Sequence, residues 1–236
     1  MLKSVFYPNT SNAYAWANTI FLIAFIATGK IEAYAVLFGY FLETIIIGVA
    51  NIVKMLMSYK GNDNFKSIVG LSIFFVLHYG GFIAVQSIFL FAIFSLSGQT
   101  LISEPFDIIK NFNIVLELEG MLLVVMLLIG TQLIKLVFDF IIPKKYLKFK
   151  VTDIMFKPYF RIVIQQFTVI IASFFILFSA APIFAAILLV VLRSMLDFIF
   201  VAIKADSYIL DFITDKLYNG KGSKEYLKEK ILLFTE

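Results

Sequence analysis

Six stretches of this chain are each long and apolar enough to cross a bilayer, and that repetition constrains the fold more than anything else in it. They run over Ala13–Thr28, Ile31–Met57, Ile68–Ser95, Leu116–Ile142, Tyr159–Ser179 and Pro182–Lys204. A helix needs roughly 20 mainly apolar residues to span a ~30 Å hydrocarbon core. The runs are continuous and do not alternate with a period of two, so they read as helices and not as barrel strands. Hydrophobic residues make up 61% of the 236 positions and charged residues 15%, against about 45–50% and about 25% in soluble domains. A core of this size cannot hide that excess. The expectation is an all-α, polytopic bundle over residues 1–205, followed by a cytoplasmic amphipathic tail over residues 206–236. The first run, with no basic segment before it and no small-residue cleavage site after it, reads as a retained span.

The lysines give a direction to the bundle, because short cytoplasmic loops accumulate basic residues. Lys60 and Lys66 follow the second run, and Lys144, Lys145, Lys148, Lys150 and Lys157 follow the fourth. The interval after the third, SGQTLISEPFDIIKNFN, carries Glu104 and Asp107 with Lys110 alone, and SAAP between the fifth and sixth is uncharged. Both termini are therefore expected in the cytoplasm of a cell-membrane protein, with only Lys30 on the wrong side. The segment IPKKYLKFKVTDIMFKPYFR, basic with interleaved aromatics, suits an interfacial stretch whose Lys144, Lys145, Lys148 and Lys150 meet anionic headgroups. Nucleic acid would use the same residue types, but the adjacent membrane favours lipid and no nucleic-acid partner is expected. In the tail, Ile209, Leu210, Phe212, Ile213 and Leu217 mark an amphipathic helix, and Gly220–Gly222 a break before a short final helix.

Polar residues inside apolar runs need a reason, since an ionisable side chain at mid-span costs about 2.5–3.5 kcal/mol or more. The second run holds Glu43, Asn51 and Lys54 on one broad face, and the third holds His78 and Gln86. The fifth holds Arg161, Gln165 and Gln166, and the sixth Arg193 with Asp197 four residues on. Turned inward, these seams would line a pocket open toward the cytoplasm, with Glu43 and His78 near its floor. Each residue also has a structural reading: Arg193 and Asp197 as an ion pair, His78 as a packed ring, Lys54 and Arg161 as snorkelling cations, Asn51 as a helix–helix hydrogen bond. Gly48, Gly80 and Gly81 read as sites of close helix approach. Cysteine is absent and histidine occurs once, which removes thiolate and multi-histidine metal sites within one chain. No Gly-rich nucleotide loop, zinc spacing or GxSxG elbow occurs, so the residues name no cofactor, metal or catalytic group.

YFLETIIIGVANIVKML, FFVLHYGGFIAVQSIFLFAIF, KPYFRIVIQQFTVIIASFFIL and APIFAAILLVVLRSMLDFIF together resemble an uncharacterised prokaryotic multi-spanning membrane family, a domain of unknown function of the 6498 type. The matching positions are Glu43, Gly48, Asn51, His78, Tyr79, Gly80, Arg161, Arg193 and Asp197. At Gln86 and Gln166 the family pattern usually carries histidine, so any metal binding by clustered histidines would be weakened here. The resemblance implies a fold and a choice of residues, and no activity. The function expected from the residues is transport or channel-like passage of a proton, cation or small polar solute. Two alternatives stay open: a structural or assembly subunit of a homo-oligomer or larger membrane complex, and, less favoured, an enzyme binding a lipid, quinone or metal.

Overall fold

The computed structural model describes residues 6–8, 12–29, 33–59, 65–96, 102–179, 182–205, 207–220 and 222–235. Among them the chain is all-helical. The helices are α1 (Ala13–Ala27), α2 (Ala33–Met57), α3 (Phe65–Leu96), α4 (Ile108–Leu116), α5 (Met121–Lys135), α6 (Lys145–Lys148), α7 (Val151–Ser179), α8 (Pro182–Ala205), α9 (Ser207–Leu217) and α10 (Lys224–Phe234). A π-helical segment, Leu136–Ile141, continues α5. Among the described residues three helices are long and apolar enough to cross a membrane: Ala35–Met57, Phe65–Ser95 and Met121–Ile141. The described chain divides into two compact units, Met1–Ala24 with Val190–Glu236, and Phe25–Leu189.

In the larger unit α2 is the central helix. Its apolar window is 61% buried, against 22% for α3 and 17% for the Met121–Ile141 helix, and it packs against α3, α5 and α7. Two glycines permit this. A Cβ on Gly39 would lie 2.5 Å from Val124 Cγ1 of α5, and one on Gly48 2.6 Å from Tyr79 Cε1 of α3. Nine residues apart, they stand on opposite sides of α2, so each side lets one neighbour approach. Gly80 and Gly81 do not share that role, because a Cβ on either meets nothing within 4 Å among the described residues.

Pairwise contacts fix the directions. Phe38 packs against Phe91 and Phe94 while Gly48 lies against Tyr79, so α2 and α3 are antiparallel. Gly39 meets Val124 and Lys54 lies over the Phe140 ring, so α2 and α5 run parallel. The C-terminal end of α2, the start of α3, the π segment and α6 therefore share one end of this unit. The interval carrying Glu104, Asp107, Glu117 and Glu119 lies at the other.

Two segments outside the expected spans are helical, for local reasons. In the polar interval, Asp107 caps α4 by accepting from the Lys110 amide, and Asn111 Nδ2 donates to the Glu104 carbonyl at 2.8 Å. Phe112 then anchors α4 against Phe41 and Phe91. Gly120, at φ +79°, supplies the left-handed corner into α5. Helix α7 begins eight residues before its apolar run, because Ile154, Met155, Pro158 and Ile162 are all buried at spacings that give one continuous face.

The smaller unit centres on Ala15, Phe198, Ala202, Ile203 and Ile209. Trp16 packs on Phe198 at 5.0 Å and donates Nε1–H to the Phe6 carbonyl. Thr19 and Ser194 bring their hydroxyls within 2.6 Å, joining α1 to α8. Ile209 and Leu210 of α9 and Ile231 of α10 pack on the same cluster, so the tail is part of this unit's core. Gly220 and Gly222 adopt φ +79° and +80° and Ser223 caps α10. The two tail helices are joined by Lys224–Asp215 at 2.8 Å and by Lys228–Asp211.

Two outcomes test this packing. Gly48→Leu drives a side chain into the Tyr79 ring and is expected to lower stability by about 1–3 kcal/mol in detergent thermal unfolding. Gly81→Leu, which meets open space, is expected to leave the midpoint unchanged or raised. In the tail, the hydrogen bond donated by Lys224 holds the Asp215 carboxyl below the usual carboxylate range, and the hydrogen bonds that Lys224 and Lys228 donate to Asp215 and Asp211 push these two lysines up. The Asp215 contribution is present above its unfolded pKa and lost as pH falls through the lowered one. The lysine contributions are lost only as pH rises through their raised values. Spin labels on Lys216→Cys and Glu229→Cys should therefore keep one α9–α10 distance from about pH 5 to 9 and broaden below about pH 4.

Candidate functional site

The buried face of α2 that meets α3 reads Thr44, Gly48, Asn51, Met55 and Ser58, at the 4, 3, 4, 3 spacing of a helical stripe. Opposite it, α3 presents Ile68, Ser72, Phe75 and Tyr79, all buried. The Tyr79 hydroxyl donates to the Thr44 carbonyl at 3.1 Å, which pins the two helices at that level. Three polar atoms in this seam, Thr44 Oγ1, Asn51 Nδ2 and Ser72 Oγ, have no hydrogen-bond partner among the described residues. A buried polar group left so costs about 1–3 kcal/mol.

Glu43 and Lys54 lie on the neighbouring face of α2, with Gly39 and Ile47, and that face meets α5. Glu43 is only 1% exposed. Lys54 is half-buried, with its Nζ 5.7 Å from the centroid of the Phe140 ring in the π segment, a cation–π distance. From α5 the buried residues are Met121, Val124, Gln132 and Phe140. The Gly39–Val124 and Lys54–Phe140 contacts put Gln132 opposite Ile47, one turn along from Glu43. The π segment, in which the Ile142 amide donates to the Val137 carbonyl at 2.9 Å, adds a residue to the turn and widens the helix at Phe140.

His78 lies elsewhere. Tyr79 faces α2, so His78, one residue and about 100° away, turns to α7 and is exposed. Its Nδ1 is 2.9 Å from the Tyr159 hydroxyl. The ring stacks on Phe74 at 5.2 Å and meets the edge of Phe82 at 5.2 Å. Glu43 and His78, expected together on one pocket floor, are thus on different faces, one enclosed and one open. Asn51 is 2% exposed and shares its helix with Glu43, but points about 80° away from it.

Of the other expected residues, Gln166 is half-buried on α7, and Asp197 is half-buried on α8 beside Phe198, in the smaller unit. The side chains of Arg161, Gln165 and Arg193 lie outside the described residues. Sequence reasoning missed Tyr159, Thr44, Ser72 and Phe140. The first sits among aromatics too numerous to single out, and hydroxyls in an apolar helix usually satisfy themselves on the preceding turn. Gln132 was visible as an amide in an apolar run, but its partner face required the parallel packing of α2 and α5. Among the described residues no three His, Asp or Glu side chains gather closely enough to hold a metal ion.

A family model covers residues 1–226, from before α1 into the start of α10. No curated protein and no solved structure matches the chain. By that coverage, which takes in both compact units, the chain belongs to the family of unknown function DUF6498.

Proposed function

We propose that the chain is a multi-pass membrane protein with six spans, and that it passes a proton, cation or small polar solute through a polar pocket centred on α2. The observation that carries this reading is the burial of Glu43 and Asn51, 1% and 2% exposed, on the most enclosed of three helices able to span a membrane. A carboxylate and an amide placed there are costly, and the unpartnered Asn51 Nδ2, Thr44 Oγ1 and Ser72 Oγ offer hydrogen bonds to water or a solute. Lys54 and Asn51 lie toward the C-terminal end of α2, which favours a pocket opening at that end.

The orientation rests on charge. Lys66 and the run Lys144, Lys145, Lys148 and Lys150 belong to the end shared by the α2 C-terminus and α6, whereas Glu104, Asp107, Glu117 and Glu119 belong to the other. The positive-inside rule then makes the basic end cytoplasmic, with both termini on that side and the pocket open to the cytoplasm. At this end Ile142 and Leu147 are 59% and 53% exposed among the lysines, a combination suited to anionic headgroups above and acyl chains below.

Flux into proteoliposomes tests the pocket. Glu43→Gln is expected to reduce proton or cation flux at least about tenfold, as loss of about 1.4 kcal/mol or more at the barrier requires. Asn51→Leu removes an Nδ2 group that has no partner among the described residues, so it should cut flux while leaving stability within about 1 kcal/mol of the parent. Equal flux from parent, Glu43→Gln and protein-free vesicles would end the transport reading.

A further inference from the structure

His78 is the single histidine of the chain. It is the fourteenth residue of the 32-residue α3, about 20 Å along the helix from Phe65. Around it the surface is apolar: Phe74, Leu77, Phe82 and Phe156 are 50%, 71%, 47% and 55% exposed. If α3 spans the bilayer, this face meets acyl chains, where an imidazole nitrogen has no water to bond.

The His78–Tyr159 pair has a property that does not depend on the tautomer. With the Tyr159 hydroxyl donating to Nδ1, the pair presents Nε2–H outward as a donor and the phenol oxygen as an acceptor. With Nδ1–H donating to the phenol oxygen, the outward donor is the Tyr159 O–H and the outward acceptor is Nε2. Either way one donor and one acceptor remain on an exposed aromatic surface. Phe74 lies parallel to the imidazole at 14° and Phe82 stands across it at 81°, while Phe156 flanks Tyr159 at 5.9 Å. The frame thus offers ring faces and edges to a flat molecule.

We propose that His78 and Tyr159, framed by Phe74, Phe82 and Phe156, bind the head group of a membrane-soluble quinone. A quinone carbonyl accepts from the outward donor, a quinol hydroxyl donates to the outward acceptor, and the apolar tail stays among the acyl chains. The site lies wholly on α3 and α7 within the larger unit. It rests on the membrane reading above and is independent of transport through α2.

Because His78 is unique, protein labelled with ¹⁵N-histidine gives signals from this imidazole alone. The protein is reconstituted in lipid nanodiscs and titrated with a decyl-chain benzoquinone, with decylbenzene as the carbonyl-free control. The expected result is a saturable shift of the His78 ring nitrogens with the quinone and none with decylbenzene. Tyr159→Phe should weaken the saturation about tenfold, through loss of one hydrogen bond and exposure of its partner. Phe156→Ala, a substitution at the exposed edge, should weaken it while leaving the circular dichroism unchanged. An unsaturable shift, or one shared with decylbenzene, would overturn the site. So would a His78 signal that follows the protein-to-lipid ratio and ignores the quinone, which would make a second copy the occupant. Failure of the chain to co-elute with nanodisc lipid would overturn the membrane reading itself, and intact Glu43-dependent flux beside a silent His78 would remove the quinone site alone.

Discussion

A carboxylate enclosed by apolar helices is the constraint on which the larger unit turns. Glu43 is held at 1% exposure because α2 is surrounded by α3, α5 and α7, and that enclosure is possible only where α2 is thin. Gly39 lets α5 in on one side and Gly48 lets the Tyr79 ring in on the other. Tyr79 then fixes the helix pair through the Thr44 carbonyl. The same closeness that packs these helices leaves Asn51 Nδ2 and Ser72 Oγ without partners among the described residues. A seam optimised only for packing would carry apolar residues at those positions. Stability and polarity are thus in opposition along α2.

Much of this was legible before any coordinates. Apolar length alone located α1, α2, α3 and α8 to within a few residues, since a run flanked by Lys or Gly has little freedom in where it ends. The tail helices were legible from Ile209, Leu210 and Ile213 and from the Gly220–Gly222 break. Helix α4 was not, because its nine residues mix Lys110, Asn111 and Asn113 with Ile and Phe, and its apolar face shows only against Phe41 and Phe91. The early start of α7 was masked by Lys157 and Pro158, whose exposed and helix-breaking characters outweigh Ile154 and Met155 in any linear reading. Pro158 withdraws one amide from the ladder, yet the buried face carries the helix through it.

The candidate site was legible in its residue types and only partly in its geometry. Spacing put Glu43, Asn51 and Lys54 on one side of α2, and in the structure Lys54 lies over Phe140 of the π segment while Asn51 points about 80° away from Glu43. The direction of His78 could not be read from the third run, since Tyr79 beside it competes for the same inward position. The ring that fits against Gly48 is the tyrosine, and the histidine takes the open face with Tyr159. The tail shows the reverse case. Its apolar residues marked an amphipathic helix, and Ile209 packs with Phe198 and Ala15, so the tail helps complete the core of the smaller unit.

The absence of cysteine makes one measurement unusually direct. Single cysteines at positions 43, 49 and 51 in oriented membrane vesicles can be challenged with a membrane-impermeant thiol reagent from either side. An α2 pocket open at the basic end requires Asn51→Cys to react from the cytoplasmic side, Glu43→Cys more slowly from that side, and Val49→Cys, whose native side chain is 58% exposed toward the apolar surround, not at all. Reaction at 49 with silence at 43 and 51, or reaction at 51 only from the opposite side, would contradict an inward-facing polar pocket on α2.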